Sequence, residues 1–372
     1  MDIQNEGLTD SKVNIHIFAM TDVGRVRNGN EDNYLIADLT KRDSWTATNG
    51  KTFNSAICIE QGEFGSIIAV ADGMGGALAG EVASLLAVSI VRDKLLQIQS
   101  DPNTVYVSKF EKLRTAIQTA NEKIFNESRD NAEYSGMGST ITAAIIDGDV
   151  AHVSQVGDSR CYLVRDGNIV QITKDQSLVW QLVERGIMTE DEAEKHMSRN
   201  VILQALGVQS NVNPVFDTVT LKQDDILIFC SDGLSSKVKS QEMLEILDDF
   251  SDIKLATERF VELANQRGGE DNITVVVAHF EGEGLLHPDD LTTAETKVPE
   301  DPDATRKLTD DQNVTVKLSE EQKVTMRFID DEITVELEEL EELEEIEEVE
   351  DDDKTLTPEE FKATRRLDEP EQ

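Results

Sequence analysis

The run Thr140-Ile-Thr-Ala-Ala-Ile-Ile146-Asp-Gly-Asp-Val-Ala151-His-Val-Ser-Gln155-Val-Gly-Asp-Ser-Arg-Cys161-Tyr-Leu-Val-Arg165-Asp-Gly-Asn168-Ile-Val-Gln-Ile-Thr173 reads as four strands in succession. β-Branched and apolar residues fill Thr140–Ile146, Ala151–Gln155, Cys161–Arg165 and Asn168–Thr173, and glycine-bearing turns punctuate them. No helix fits between these strands, so they are expected to pair antiparallel. Further strands are expected at Asn14–Ala19, Ser55–Glu60, Ser66–Ala71, Ile226–Ser231 and Asn272–Phe280. Long amphipathic helices are expected at Gly80–Gln99 and Phe110–Glu127, where apolar residues recur at three and four. Shorter helices are expected at Ser177–Arg185, Glu190–Met197, Gln241–Phe250 and Asp252–Gln266. Strands in consecutive groups and helices in pairs predict an α+β fold, with antiparallel sheets carrying helices on their outer faces.

Charge divides the chain. Of its 372 residues, 35 are Lys or Arg and 75 are Asp or Glu, a net of −40. From Glu283 onward 90 residues hold 32 acids and 10 bases and two aromatics, Phe328 and Phe361. The predicted body is therefore 14–282, ample for a large core, followed by an acidic tail at 283–372 that is expected to be largely disordered. So acidic a chain repels nucleic-acid phosphates and anionic lipid, and neither is expected as a partner. No run approaches the ~18 apolar residues of a membrane span, and the first residues lack the shape of a signal peptide. Cys58, Cys161 and Cys230 stand alone in apolar segments, as free thiols do in a reducing compartment, so a cytoplasmic protein is expected.

The tail carries a decapeptide repeat, Asp303–Gln312, Asn313–Gln322 and Lys323–Glu332, with threonine at 305, 315 and 325 and a large apolar residue at 308, 318 and 328. It fits a small strand meander, a disordered linker, or a set of threonine phosphosites or docking elements. In Glu336–Glu350 the apolar residues recur every three, which drifts around a helix, and neighbouring glutamates repel one another, so an autonomous helix is disfavoured.

Five turns carry carboxylates beside glycine or at strand ends. They are Arg27-Asn-Gly-Asn-Glu31-Asp32, Ile68-Ala-Val-Ala-Asp72-Gly73-Met-Gly-Gly76, Gly157-Asp158-Ser-Arg160, Cys230-Ser-Asp232-Gly233 and Gly268-Gly-Glu-Asp271-Asn272. One Asp-Gly pair is an ordinary turn former. Five, if their strands converge, crowd negative charge that hard divalent cations neutralise through oxygen ligands. No CxxC or HExxH suggests zinc, no GxSxG elbow accompanies the five histidines, and no P-loop is present.

In this order, Thr21–Asp32, Val70–Gly76, Gly138-Ser139-Thr140, Val156–Arg160, Cys230–Leu234 and Gly269–Thr274 resemble the metal-dependent Ser/Thr protein phosphatases, the type 2C or PPM family, in its bacterial form. The resemblance spans roughly Ile15 to Phe280. It implies a four-layer αββα sandwich, two antiparallel sheets flanked by helix pairs, with metals at one end. It also implies a phosphatase that hydrolyses phosphoserine and phosphothreonine on proteins with two Mn²⁺ or Mg²⁺ ions, and a third in a looser site. Carried over, Asp72 bridges the ions, Asp232 and Asp271 serve one, and Glu31 with the Gly73 carbonyl serves the other. Asp158, with Asp232, matches the third site, Asp32 orients water, and Arg27 binds the substrate phosphate. Gln181 to Asn200 resembles the flap that shapes substrate access. Ala77 and Gln176 replace histidines common in relatives, and the animal members' proposed general acid has no counterpart in the matched motifs. The expected partners are phosphoprotein substrates, an opposing Ser/Thr kinase and a phosphothreonine-binding partner of the tail, around Thr305 and Thr364, with the protein a monomer. A phosphatase-like scaffold without catalysis is the alternative.

Overall fold

In the computed structural model the described residues are 12–47, 55–75, 79–193 and 195–287, together with three tail strands, 314–318, 322–329 and 332–337. Two antiparallel six-stranded sheets form the body. The first has the order β11 (Asn168–Gln171), β10 (Arg160–Arg165), β13 (Ile226–Cys230), β14 (Ile273–Glu281), β1 (Asn14–Asp22), β4 (Ile57–Glu60). The second has the order β12 (Val215–Thr220), β9 (Val150–Val156), β8 (Ile141–Asp147), β5 (Ser66–Ala71), β2 (Asn33–Asp38), β3 (Asp43–Thr46). A two-stranded ribbon pairs β6 (Gly73–Met74) with β7 (Gly138–Ser139).

Three separate cores stack the layers. Between the sheets lie Ile15, Ile17, Ile36, Ile68, Val70, Val153, Phe229 and Val276. Outside the second sheet, Ile67, Ala69, Ile141 and Ile145 pack on α1 (Ala79–Gln99) and α2 (Lys109–Asp130). Outside the first sheet, Tyr162, Ile228, Val275 and Val277 pack on α6 (Ser240–Asp249) and α7 (Ile253–Gln266). The sandwich is therefore αββα, as the sequence suggests. β5 shows the reason in miniature: all six residues are buried, Ile67 and Ala69 toward the helices, Ile68 and Val70 toward the other sheet. A strand covered on both faces reads as a continuous apolar run, and each such side chain contributes about 1.5–3 kcal/mol.

The nine expected strands are present within a few residues of their predicted bounds; in the two large sheets β2, β3 and β12 were not foreseen, and neither was the β6–β7 ribbon. β2 follows the Glu31-Asp32 turn directly and shows no alternation because all six residues are buried. β3 and β12 are edge strands with mixed polar sequence. Short helices α3 (Leu178–Glu184) and α4 (Glu190–Ala193) lie within the flap-like excursion. That excursion is closed at its base by the Leu178 N–H donating to the Val201 carbonyl and that of Leu203 to Gln176, at 2.9 and 2.8 Å. α5 (Asp232–Ser235) is a single turn after β13.

The described tail residues, 314–318, 322–329 and 332–337, are strands. They form an antiparallel meander of β15 (Val314–Leu318), β16 (Gln322–Ile329) and β17 (Glu332–Leu337); the second and third decapeptides supply the first two strands, β17 follows them, and Thr315 stands opposite Thr325. The first decapeptide, Thr305, Thr364 and the acidic run past Leu337 lie outside the described residues.

Candidate active site

Strand register brings the five carboxylate turns to one end of the sandwich. Asn33, opening β2, pairs with Ala71, closing β5, so Glu31-Asp32 and Asp72-Gly73 leave the sheet side by side. Val70 pairs with Thr142 and Ile141 with Val156, which puts Gly157-Asp158 at the same end. In the facing sheet, Asp22 pairs with Ile273, while Cys230 pairs with Val275, so Asp232 and Asp271 emerge together.

The backbones are pinned. The N–H of Asp72 donates to Thr140 Oγ1 at 2.9 Å, and its carbonyl accepts from the Thr140 N–H at 2.8 Å and Ser139 Oγ at 3.1 Å. Gly73 donates to the Glu31 carbonyl at 3.1 Å. A Cβ at Gly73 would stand 2.1 Å from the Gly80 carbonyl oxygen and 2.6 Å from that of Glu31, so only glycine fits. Gly80, in the first turn of α1, is also confined: its Cβ would meet the Glu31 carboxylate at 2.7 Å and the Gly73 carbonyl carbon at 3.0 Å. Asn272 accepts the Glu31 N–H on Oδ1 at 2.8 Å and donates from Nδ2 to the carbonyls of Val23 and Gly29, both at 2.9 Å.

Asp32 is buried, and its Oδ2 accepts from Ser231 Oγ at 2.7 Å. Burial pushes its carboxyl up to about 7; hydrogen bonds from Ser231 and Thr274 oppose the rise, and the charges of Asp232 and Asp271 add to it. Asp232 is pushed up to about 6 by burial and by Asp271, against a hydrogen bond shared with Asp72 and the charges of Arg160 and Arg27. Asp72 is raised well above the carboxylate range by burial and then by Asp32, Asp232, Asp158 and Asp271. Asp158 is raised likewise by burial, Asp232 and Asp175, with Arg160 opposing. Glu31 is raised by burial, while Arg27 opposes.

Arg27 donates from Nη2 to Asp271 Oδ2 at 2.9 Å at the open mouth of the site. The Arg160 guanidinium is committed to Asp175 through three contacts of 2.6–3.1 Å. Gln176, standing where relatives carry histidine, accepts the Gly157 N–H on Oε1 at 2.8 Å and so ties the flap base to the turn bearing Asp158. Ala77 lies outside the described residues.

The donor set fits divalent metal. Asp32 Oδ1, Asp158 Oδ1 and Asp232 Oδ1 are buried without a hydrogen-bond partner, and a buried carboxylate oxygen in that state calls for a cation. The structure thus brings together Glu31, Asp32, Asp72, Gly73, Asp158, Asp232, Asp271 and Arg27. Sequence reasoning assigned no role to Asn272, Ser231, Thr274 or Thr140. The signal for Ser231 and Asn272 is a polar residue beside an aspartate where an apolar strand ends or begins, since such a buried group must have a partner; Thr140 and Thr274 carry no such mark.

Comparison with known proteins agrees with this geometry. The family model for protein phosphatase 2C matches residues 50–270. The serine/threonine phosphatase stp of Listeria welshimeri is 34% identical over 263 residues, covering 71% of this chain and 95% of the relative. A crystal structure of the PstP catalytic domain in complex with two manganese ions is 32% identical, with TM-score 0.57, covering 72% of this chain and 99% of that one. The crystal structure of Stp1 from Staphylococcus aureus is 30% identical, with TM-score 0.61, covering 72% and 95%. By sequence and by fold, this chain belongs to the protein phosphatase 2C family.

Proposed function

We propose that the protein is a metal-dependent protein serine/threonine phosphatase, hydrolysing phosphoserine and phosphothreonine on proteins. The observation that carries this reading is the meeting of Glu31, Asp72, Asp158, Asp232 and Asp271 at one sandwich end, with buried oxygens left unpartnered. Mn²⁺ or Mg²⁺, bound as a pair with a third ion at a looser site, supplies neutralising charge for the phosphoryl oxygens and activates water. Asp72, Asp232 and Asp271 would hold one ion; Asp72, Glu31 and the Gly73 carbonyl would hold the other; Asp158 with Asp232 would hold a third. Asp32, anchored on Ser231, orients water for in-line attack. Arg27 releases Asp271 to grip two phosphoryl oxygens with its planar fork. The flap from Gln181 to Asn200 presents exposed Ile187 and Met197 to the substrate chain.

The enzyme opposes a Ser/Thr kinase, works as a cytoplasmic monomer, and offers tail threonines, Thr305 and Thr364, to a phosphothreonine-binding partner. No described helix is long and apolar enough to cross a membrane. The test is phosphate release from a phosphothreonine peptide by the full chain with Mn²⁺, with EDTA, and in Asp232→Asn. Metal-dependent release lost in the variant supports the reading. Inactivity of the folded wild type across metals and peptides overturns it in favour of a scaffold.

A further inference from the structure

At the far end of the first sheet, about 20 Å along the strands from Asp22, a second set of metal-ligating side chains gathers on the face turned away from the inter-sheet core. His16 on β1 and His279 on β14 are direct cross-strand partners, with ring centroids 6.4 Å apart. Glu281 reaches both: its Oε2 lies 3.4 Å from His16 Nε2 and its Oε1 3.5 Å from His279 Nδ1. Asp224, in the turn before β13, places Oδ1 3.5 Å from His279 Nε2. One ligand atom each from Asp224, His279 and Glu281 falls within a common 4.8 Å. Cys58, exposed on β4, stands opposite His16 in register.

We propose that this cluster is a binding site for a transition-metal cation of the Zn²⁺ class. The spacing supports it. Gaps of 3.4–3.5 Å are long for N–H···O hydrogen bonds, whose range is about 2.7–3.2 Å. The Asp224 Oδ1–His279 Nε2 gap of 3.5 Å matches one edge of a tetrahedron around an ion with ligands at about 2.0–2.2 Å, which is roughly 3.3–3.6 Å. The chemistry supports it independently. An imidazole with two carboxylates suits Zn²⁺, Co²⁺ or Ni²⁺, whereas the oxygen-only set at the other end suits Mg²⁺ or Mn²⁺. His279 meets carboxylates on both ring nitrogens, so one nitrogen can ligate while the other donates to the remaining carboxylate, the usual arrangement around a metal-bound histidine. Placement is preset as well: the Asp224 N–H donates to the Phe280 carbonyl and the Phe280 N–H to that of Asp225, both at 2.9 Å, which fastens the turn to β14.

The test titrates Co²⁺, as a coloured stand-in for Zn²⁺, into the full chain held in saturating Mg²⁺. The expected result is one equivalent of Co²⁺ with the intense visible absorption of four-coordinate geometry, displaced by Zn²⁺. In His16→Gln/His279→Gln that absorption is lost while Mg²⁺-supported release of phosphate is unchanged. Asp224→Asn, a single exposed change, is expected to weaken Co²⁺ binding about tenfold and serves if the double variant misfolds. Absence of the absorption in the wild type, or its persistence in both variants, overturns the proposal.

Discussion

Asn272 Oδ1 accepts the backbone N–H of Glu31 at 2.8 Å, joining two residues 241 positions apart. The same amide donates to the carbonyls of Val23 and Gly29. One buried side chain thereby fixes the loop that delivers Arg27 and Glu31 against the turn that delivers Asp271. Asn272→Ala removes all three bonds, which at about 1 kcal/mol each costs about 3 kcal/mol. It should also weaken metal affinity about 10–100-fold, as loss of a ligand's supporting partner does elsewhere. Thermal denaturation with and without Mn²⁺, beside a Mn²⁺ titration of activity, checks this. Unchanged metal affinity would mean that Glu31 is held by other contacts.

Gly73→Ala is expected to abolish most activity, because a methyl group 2.1 Å from the Gly80 carbonyl forces β6 away from α1 and displaces the Glu31 backbone. Overpacking of this kind costs about 1–3 kcal/mol in stability, so the domain should still fold. Gly80→Ala, which presses on the Glu31 side chain itself, should retain the fold with a milder loss. Activity measured beside the circular-dichroism melt separates the two effects. Wild-type turnover in Gly73→Ala would refute the close approach.

The carboxylates give the metal-free protein an unusual pH dependence. Asp32 is raised from 3.8 to about 7 and Asp232 from 3.8 to about 6, so folding favours their neutral forms. Their contribution to stability is fully present below the unfolded value near 4 and is lost as pH rises through 6 to 7. In EDTA the melting temperature should therefore fall between pH 5 and pH 8, by about 2–4 °C for each kcal/mol lost. With saturating Mn²⁺ the trend should reverse, because the ions compete with protons for the same oxygens. A melting temperature independent of pH in EDTA would place these carboxyls in a more solvated setting.

Much of this was legible in the chain because the informative residues are punctuation. Asp72, Asp232 and Asp271 stand where apolar strands end or begin at glycine or asparagine, so motif and strand boundary mark the same place. The four consecutive strands between residues 141 and 171 lie near where β-branching puts them. β2 was hidden because its buried polar ends, Asn33 and Asp38, leave only a short apolar run, and its start is read as part of the Glu31-Asp32 turn. The roles of Asn272 and Ser231 were hidden because a hydrogen bond across 199 or 241 residues leaves no spacing to read. His16 and His279 illustrate the limit most sharply, since zinc motifs are sought at short spacing and these two meet only through strand register.

Arg27 is the residue whose replacement should separate binding from chemistry. It lies half-exposed at the mouth of the site and is held on one side by Asp271 at 2.9 Å, so it is available to a phosphate without unfolding anything. Arg27→Ala removes a charge-assisted contact worth about 1.5–3 kcal/mol, or about 10–150-fold in kcat/KM. It also withdraws a positive charge that opposes the rise of the Glu31 and Asp232 carboxyls, so the metal requirement should shift to higher Mn²⁺ or higher pH. Arg27→Lys keeps the charge and loses the fork, and should restore the metal requirement without restoring KM for the phosphopeptide. Steady-state kinetics across a Mn²⁺ series at two pH values resolves the two roles. If Lys restores KM fully, the arginine acts as a point charge and not as a bidentate grip.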